Sequence, residues 1–100
     1  MKKANLYTTS DEIRPVEPKD GKYFSLKELQ AFVGGNIQMI YLPHGDIIIM
    51  NEDGLLKRLR KNKAATYFWK KEFPIDEYPD NNAEYLVGDV LITSKEYIEQ

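Results

Sequence analysis

Polar and apolar residues along this chain follow two rhythms, and the switches between them mark its elements. Residues 25–33 follow a period near 3.6. Ser25 is followed three positions later by Glu28, the capping-box arrangement, and Phe24 is placed to pack on Leu29 across the cap. Leu26, Leu29 and Val33 then fall on one helical face with Phe32 beside them, and Gly34 and Gly35 end the helix. From residue 37 the rhythm shortens to two. Residues 37–42 predict a strand with Ile37, Met39 and Tyr41 on one face and Gln38, Ile40 and Leu42 on the other. Pro43, His44 and Gly45 form a turn, and Ile47, Ile48, Ile49 and Met50 predict the returning strand of an antiparallel hairpin. That second strand is apolar on both sides, so both of its faces need a cover. The expectation is that helices take one face and that the N-terminal arm or a second subunit takes the other.

The rest of the pattern is built around this hairpin. Residues 5–9 have strand character, while Pro15 and Pro18 restrict residues 13–18 to an edge strand or an extended arm. Residues 51–54, Asn-Glu-Asp-Gly, are a turn. Residues 55–60 suit a short strand or a helix, and the pattern leaves both open. Asn62 caps a second helix running to about Glu72, with Ala65, Phe68 and Trp69 as its apolar stripe and Pro74 beyond its end. Residues 75–82 read as an acidic exposed loop. Residues 84–93 read as a last strand with a candidate bulge at Gly88 and Asp89, and 94–100 as one helical turn. The predicted fold is α+β: a small, mostly antiparallel sheet with two helices packed on one face. One domain spans 1–100, with an arm or edge strands at 1–23, a core at 24–93 and a tail at 94–100.

Composition narrows the function classes. A chain of 100 residues has room for one core and not for two. With no cysteine, disulfides, thiolate catalysis and cysteine zinc sites are excluded. The net charge of −2 argues against coating nucleic acid by bulk electrostatics. No apolar run approaches the roughly 18 residues of a membrane span, and Lys2 and Lys3 are not followed by the apolar core of a secretion signal. The chain is therefore expected to be cytoplasmic and not bound to membrane.

Four short motifs occur in order: Val33-Gly34-Gly35 closing a helix, Asn51-Glu52-Asp53-Gly54 closing a hairpin, Asn62-Lys63-Ala64-Ala65-Thr66 opening the second helix, and Gly88-Asp89-Val90 in the last strand. In this set, over roughly residues 24–93, the chain resembles a family of small domains of unknown function found widely in phages and mobile elements. The resemblance implies a phage or mobile-element setting. It implies no reaction and carries over no catalytic residue.

No catalytic constellation stands out, and no enzyme activity, cofactor or metal is expected. His44 beside Asp46 is a candidate general base, but a lone turn histidine is more often simply exposed. Ser25 is already explained by capping. Asp46 and Asp53 sit at opposite ends of a strand that rises about 3.3 Å per residue, too far apart to share an ion. Gly34 and Gly35 follow a helix, where a phosphate loop would precede one. The stretch 55–71 is the most distinctive surface candidate. Lys57, Arg58, Arg60, Lys61, Lys63, Lys70 and Lys71 are half of the basic residues, no acid interrupts them, and Tyr67, Phe68 and Trp69 are interleaved. Basic groups with exposed aromatics suit an anionic ligand or single-stranded nucleic acid. The plainer reading makes Phe68 and Trp69 core and the cations a solvated face. Two functions are compatible with these residues: a non-enzymatic module binding a host protein or a small anionic ligand, or a nucleic-acid-associated accessory protein using 55–71. Residues Ile47, Ile48, Ile49 and Met50 are a candidate interface, a homodimer among its expected uses.

Overall fold

The computed structural model describes residues 2–72 and 85–99. Its centre is a five-stranded antiparallel sheet: β1 (Ala4–Tyr7), β2 (Ile13–Pro15), β3 (Ile37–Tyr41), β4 (Asp46–Asn51) and β5 (Val90–Ser94), in the spatial order β2-β1-β5-β4-β3. Helix α1 (Leu26–Val33) precedes the β3–β4 hairpin and α2 (Lys63–Glu72) follows it. The α+β class and the antiparallel sheet agree with the sequence. β5 lies between β1 and β4, pairing Leu91 with Leu6 on one side and with Ile49 on the other. β1 is therefore an interior strand and not an arm. The edge position expected from the prolines belongs to β2, which ends on Pro15.

The local rules hold at α1. Ser25 and Glu28 form the complete capping box, with the Glu28 amide donating to Ser25 Oγ at 3.1 Å and the Ser25 amide donating to Glu28 Oε1 at 2.8 Å. Hydrogen bonds from the Ser25 amide and, more weakly, the Lys19 amide hold the Glu28 carboxyl below its ordinary pKa. Gly34 ends the helix at φ 79, the left-handed conformation that costs glycine little. Leu29 and Val33 are buried, but Leu26 is 58% exposed, so the buried stripe is narrower than the sequence suggests.

Side-chain alternation on β4 splits the core in two. Ile47 and Ile49 join Leu29, Val33, Phe24, Leu91 and Tyr97 on one face of the sheet. Ile48 joins Ala65, Trp69, Val90 and Ile92 on the other. The two helices therefore lie on opposite faces of the sheet, and not together on one. The physical cause is the doubly apolar β4: each of its faces is covered by a helix of the same chain. Ile47, Ile48 and Ile49 are 1%, 0% and 0% exposed. They offer no surface to a second subunit, and Met50 is half-buried beside Trp69's cluster.

Residues 52–59 are neither strand nor regular helix. They make a single helical turn, in which the Arg58 amide donates to the Leu55 carbonyl and the Leu59 amide to the Gly54 carbonyl, both at 3.1 Å. This is a Schellman closure with Arg58 in the left-handed position, at φ 56. The last strand is shorter than its apolar run. Gly88, at φ 74, turns the chain before Val90, and Val87 instead makes an isolated bridge to Lys61. The C-terminal turn is a 3-10 helix, Lys95–Tyr97. The loop predicted at 75–82, Pro74 and the start of the 84–93 strand lie outside the described residues.

Candidate functional site

The basic segment leaves the β4 end of the hairpin, crosses the 85–88 strap and runs into α2. Asn62, fully buried, fixes its path. Its side-chain nitrogen donates to the Tyr7 carbonyl at 2.8 Å and to the Gly88 carbonyl at 2.9 Å, and its side-chain oxygen accepts from the Ala65 amide at 3.0 Å. One side chain thus caps α2 and ties it to β1 and to the strap. Thr66 completes the joint: its hydroxyl donates to the Asn62 carbonyl at 2.7 Å and accepts from the Leu86 amide at 2.8 Å.

Around this joint the cations point outward. Lys57, Arg58, Arg60, Lys61, Lys63, Lys70 and Lys71 are all exposed. They do not converge on one cleft. Lys57 lies over Gly35, where a built Cβ would come within 3.2 Å of its Nζ. That puts its charge at the C-terminal, negative end of α1, which has no basic residue in its own last turn. Arg60 lines a groove of about 300 Å³ with Gly34, Gly88 and Asp89. Lys61 sits over the Tyr85 ring at 4.4 Å from its centroid, and Lys71 over Tyr67 at 5.3 Å, cation–π geometry in both cases. On α2, Lys63, Tyr67 and Lys71 recur every four residues along the outer face, and Tyr67 is 68% exposed. Of the three interleaved aromatics, only Tyr67 is exposed. Phe68 is half-buried against Tyr7, with ring centroids 6.1 Å apart, and Trp69 is 1% exposed. This run of outward-facing cations, hereafter the ridge, carries one exposed aromatic and does not close around a single ligand-sized cleft, so what it offers an anionic partner is exposed charge.

The remaining candidates have structural explanations. His44 stands exposed in its turn. Burial raises the pKa of Asp46, the Glu72 and Glu96 carboxylates raise it further, and His44 opposes them. Among the described residues, no three of His, Asp and Glu converge as a metal site. Ser25 is occupied by its cap. No helix of the described residues is long and apolar enough to cross a membrane.

The four motifs turn out to mark joints. Asn51, buried, donates to the Val33 carbonyl at the end of α1 at 3.1 Å and accepts from the Asp53 amide at 2.8 Å. Asp89 accepts from the Thr9 amide at 3.0 Å, pinning the β1–β2 turn to the start of β5. Motif glycines and asparagines therefore hold elements together, and the ridge lies between them. Sequence reasoning missed Asn62's second role because capping already accounted for it. No local signal announces the bonds to Tyr7 and Gly88.

Fold and surface together define a small α+β domain with a helix on each face of an antiparallel sheet and a cationic ridge along one joint. The chain belongs to the family described as domain of unknown function (DUF3846), whose model matches residues 3–99. The match includes β1 and β2, in keeping with their place in the sheet. No curated protein and no solved structure matches the chain.

Proposed function

We propose that this protein is a non-enzymatic binding module, a cytoplasmic accessory protein of phages or mobile elements, that takes an anionic partner on the ridge formed by Lys57, Arg58, Arg60, Lys61, Lys63, Lys70 and Lys71. One observation carries the reading: half of the chain's basic residues lie exposed in a single stretch that contains no carboxylate, while all sixteen acids lie elsewhere. A chain with net charge −2 thus gathers half of its cations into one acid-free stretch of sequence. Such a surface steers an acidic protein face or a small anionic ligand toward itself, and the attraction weakens as salt rises.

A second reading, single-stranded nucleic acid, is favoured by Tyr67. It is exposed between Lys63 and Lys71, as a base-stacking platform flanked by phosphate contacts would be. Fluorescence anisotropy separates the two, using a labelled Glu-rich peptide and a labelled oligothymidylate, each titrated at low and physiological salt. Binding of either probe that falls with salt and is lost in the Arg58→Ala, Arg60→Ala, Lys61→Ala triple variant supports the ridge. If the oligonucleotide binds and Tyr67→Ala weakens it by about 1 kcal/mol or more, nucleic acid is the better reading. Failure of both probes at low salt removes the proposal.

A further inference from the structure

The two outer strands of the sheet are built differently. β2 has three residues, carries Arg14 and ends on Pro15, which has no amide hydrogen; these are the features that keep an edge from pairing. β3 has five residues, Ile-Gln-Met-Ile-Tyr, with no charge and no proline, and among the described residues nothing pairs with its outer edge. The flanking bonds show which of its backbone groups point outward. The Leu42 amide donates to the Asp46 carbonyl and the Glu52 amide to the Asn36 carbonyl, both at 2.8 Å, so even-numbered residues face β4. By the alternation of antiparallel ladders, the amides and carbonyls of Ile37, Met39 and Tyr41 face away from it. Apolar side chains lie on both sides of this edge. Tyr41 is 62% exposed on the α1 face. On the α2 face Leu55 and Leu56, 53% and 85% exposed, share a cavity of about 360 Å³ with Gln38 and Ile40.

We propose that β3 is a self-association edge, on which a second copy of this chain docks its own β3 antiparallel. The occupant follows from symmetry and charge. A two-fold axis through Met39 sets Ile37 opposite the partner's Tyr41, Met39 opposite the partner's Met39, and Tyr41 opposite the partner's Ile37. All the outward groups of these three residues are then satisfied, with no like charges opposed because the strand has none. The pairing closes at two copies. The only other sheet edge among the described residues is β2, and its proline and arginine block the head-to-tail contact that would build a filament. The axis stands perpendicular to the sheet, so both copies of α2, with their Lys63, Tyr67 and Lys71, lie on the same side of a continuous ten-stranded sheet. One short strand and two leucines fall below the roughly 1,600 Å² of a standard stable interface, so the proposed dimer is a weak one, on the order of micromolar or weaker.

Sedimentation velocity and amide hydrogen exchange of the full chain, as a concentration series up to about 1 mM, test this in the range where a micromolar dimer populates. The expected result is a mass rising toward twice the 11.7 kDa chain, with the Ile37, Met39 and Tyr41 amides gaining protection as concentration rises while Gln38 and Ile40 are protected throughout. Tyr41→Pro removes an outward donor without touching the β4 ladder and should leave a folded monomer. If that variant does not fold, Leu56→Asp, in an exposed turn, should weaken the dimer at least tenfold. A monomer at every concentration overturns the proposal. So does a dimer in which those three amides stay unprotected, because the contact would then lie elsewhere.

Discussion

Replacing Asn62 probes the joint on which the ridge is mounted. Its side chain makes three hydrogen bonds at full burial, two as donor and one as acceptor. Asn62→Ala deletes the cap of α2, worth about 1 kcal/mol. It also orphans the buried Gly88 carbonyl and the partly buried Tyr7 carbonyl, each costing about 1 kcal/mol or more. The expected loss is about 3–4 kcal/mol, a large share of the roughly 5–15 kcal/mol that holds a domain of this size. At about 4–8 °C per kcal/mol for 100 residues, the melting temperature should fall by about 12–32 °C. Trp69, the single tryptophan and 1% exposed, gives the readout: urea titration followed by its fluorescence and by far-UV circular dichroism. Asn62→Asp is the discriminating control. Aspartate caps helices as well as asparagine and favours the positive end of α2, so a pure capping role predicts little loss. The structure predicts the opposite, because a carboxylate would face two carbonyl oxygens and has no hydrogen to offer. An Asn62→Asp protein as stable as the wild type would refute the tie to Tyr7 and Gly88.

Three further substitutions test other parts of the fold. Gly88→Ala should cost about 1–2 kcal/mol in the same titration, because φ is 74 there and a built Cβ comes within 2.8 Å of Leu59 Cδ1. Ser25→Ala should lose about 1 kcal/mol by breaking the capping box of α1, while binding at the ridge is unchanged in the anisotropy assay. Asp46 has its pKa raised by burial and then by Glu72 and Glu96, so the folded chain holds that proton more tightly than the unfolded one. Its stabilising contribution is complete below the unfolded value of about 3.9 and is lost as pH climbs through the raised folded value. Asp46→Asn should accordingly be more stable than wild type near neutrality, and the advantage should vanish in acid; thermal melts across pH measure both.

What the sequence revealed depended on how locally each feature is encoded. The cap of α1 is written within one turn, in Ser25 and Glu28, and the structure reproduces it. The β3–β4 hairpin is equally local, closed by Pro43, His44 and Gly45. The doubly apolar run at 47–50 correctly demanded two covers, but nothing in it says which element supplies each. That depends on where α2 crosses the sheet after leaving the hairpin, a long-range matter fixed partly by Asn62's bonds to Tyr7 and Gly88. At residues 55–60 the leucines suit either period, and the actual closure puts Arg58 in a left-handed conformation that its residue type does not announce. The apolar run at 86–92 reads as one strand because hydrophobicity does not register that Gly88 turns the backbone. For the ridge, the sequence showed the charges and the missing acids. The structure added that Trp69 is withdrawn into the core and Phe68 half-buried, that Tyr67 remains outside, and that Lys57 lies over the end of α1.

β5 joins the halves of the sheet, and it is made late. The β1–β2 and β3–β4 hairpins are joined in the sheet only through it, since it alone lies between β1 and β4. During synthesis both hairpins leave the ribosome with one long edge bare, and neither can be sealed until residues 90–94 have cleared the exit tunnel. Pairing Ala4 with Thr93 spans almost the whole chain, a contact order that slows folding. The nascent protein therefore passes through a period of exposed strand edges, the state most open to wrong pairing. A ribosome stall just short of Val90 should leave a protease-sensitive chain. A stall behind a C-terminal linker long enough to carry β5 out of the tunnel should leave a resistant one.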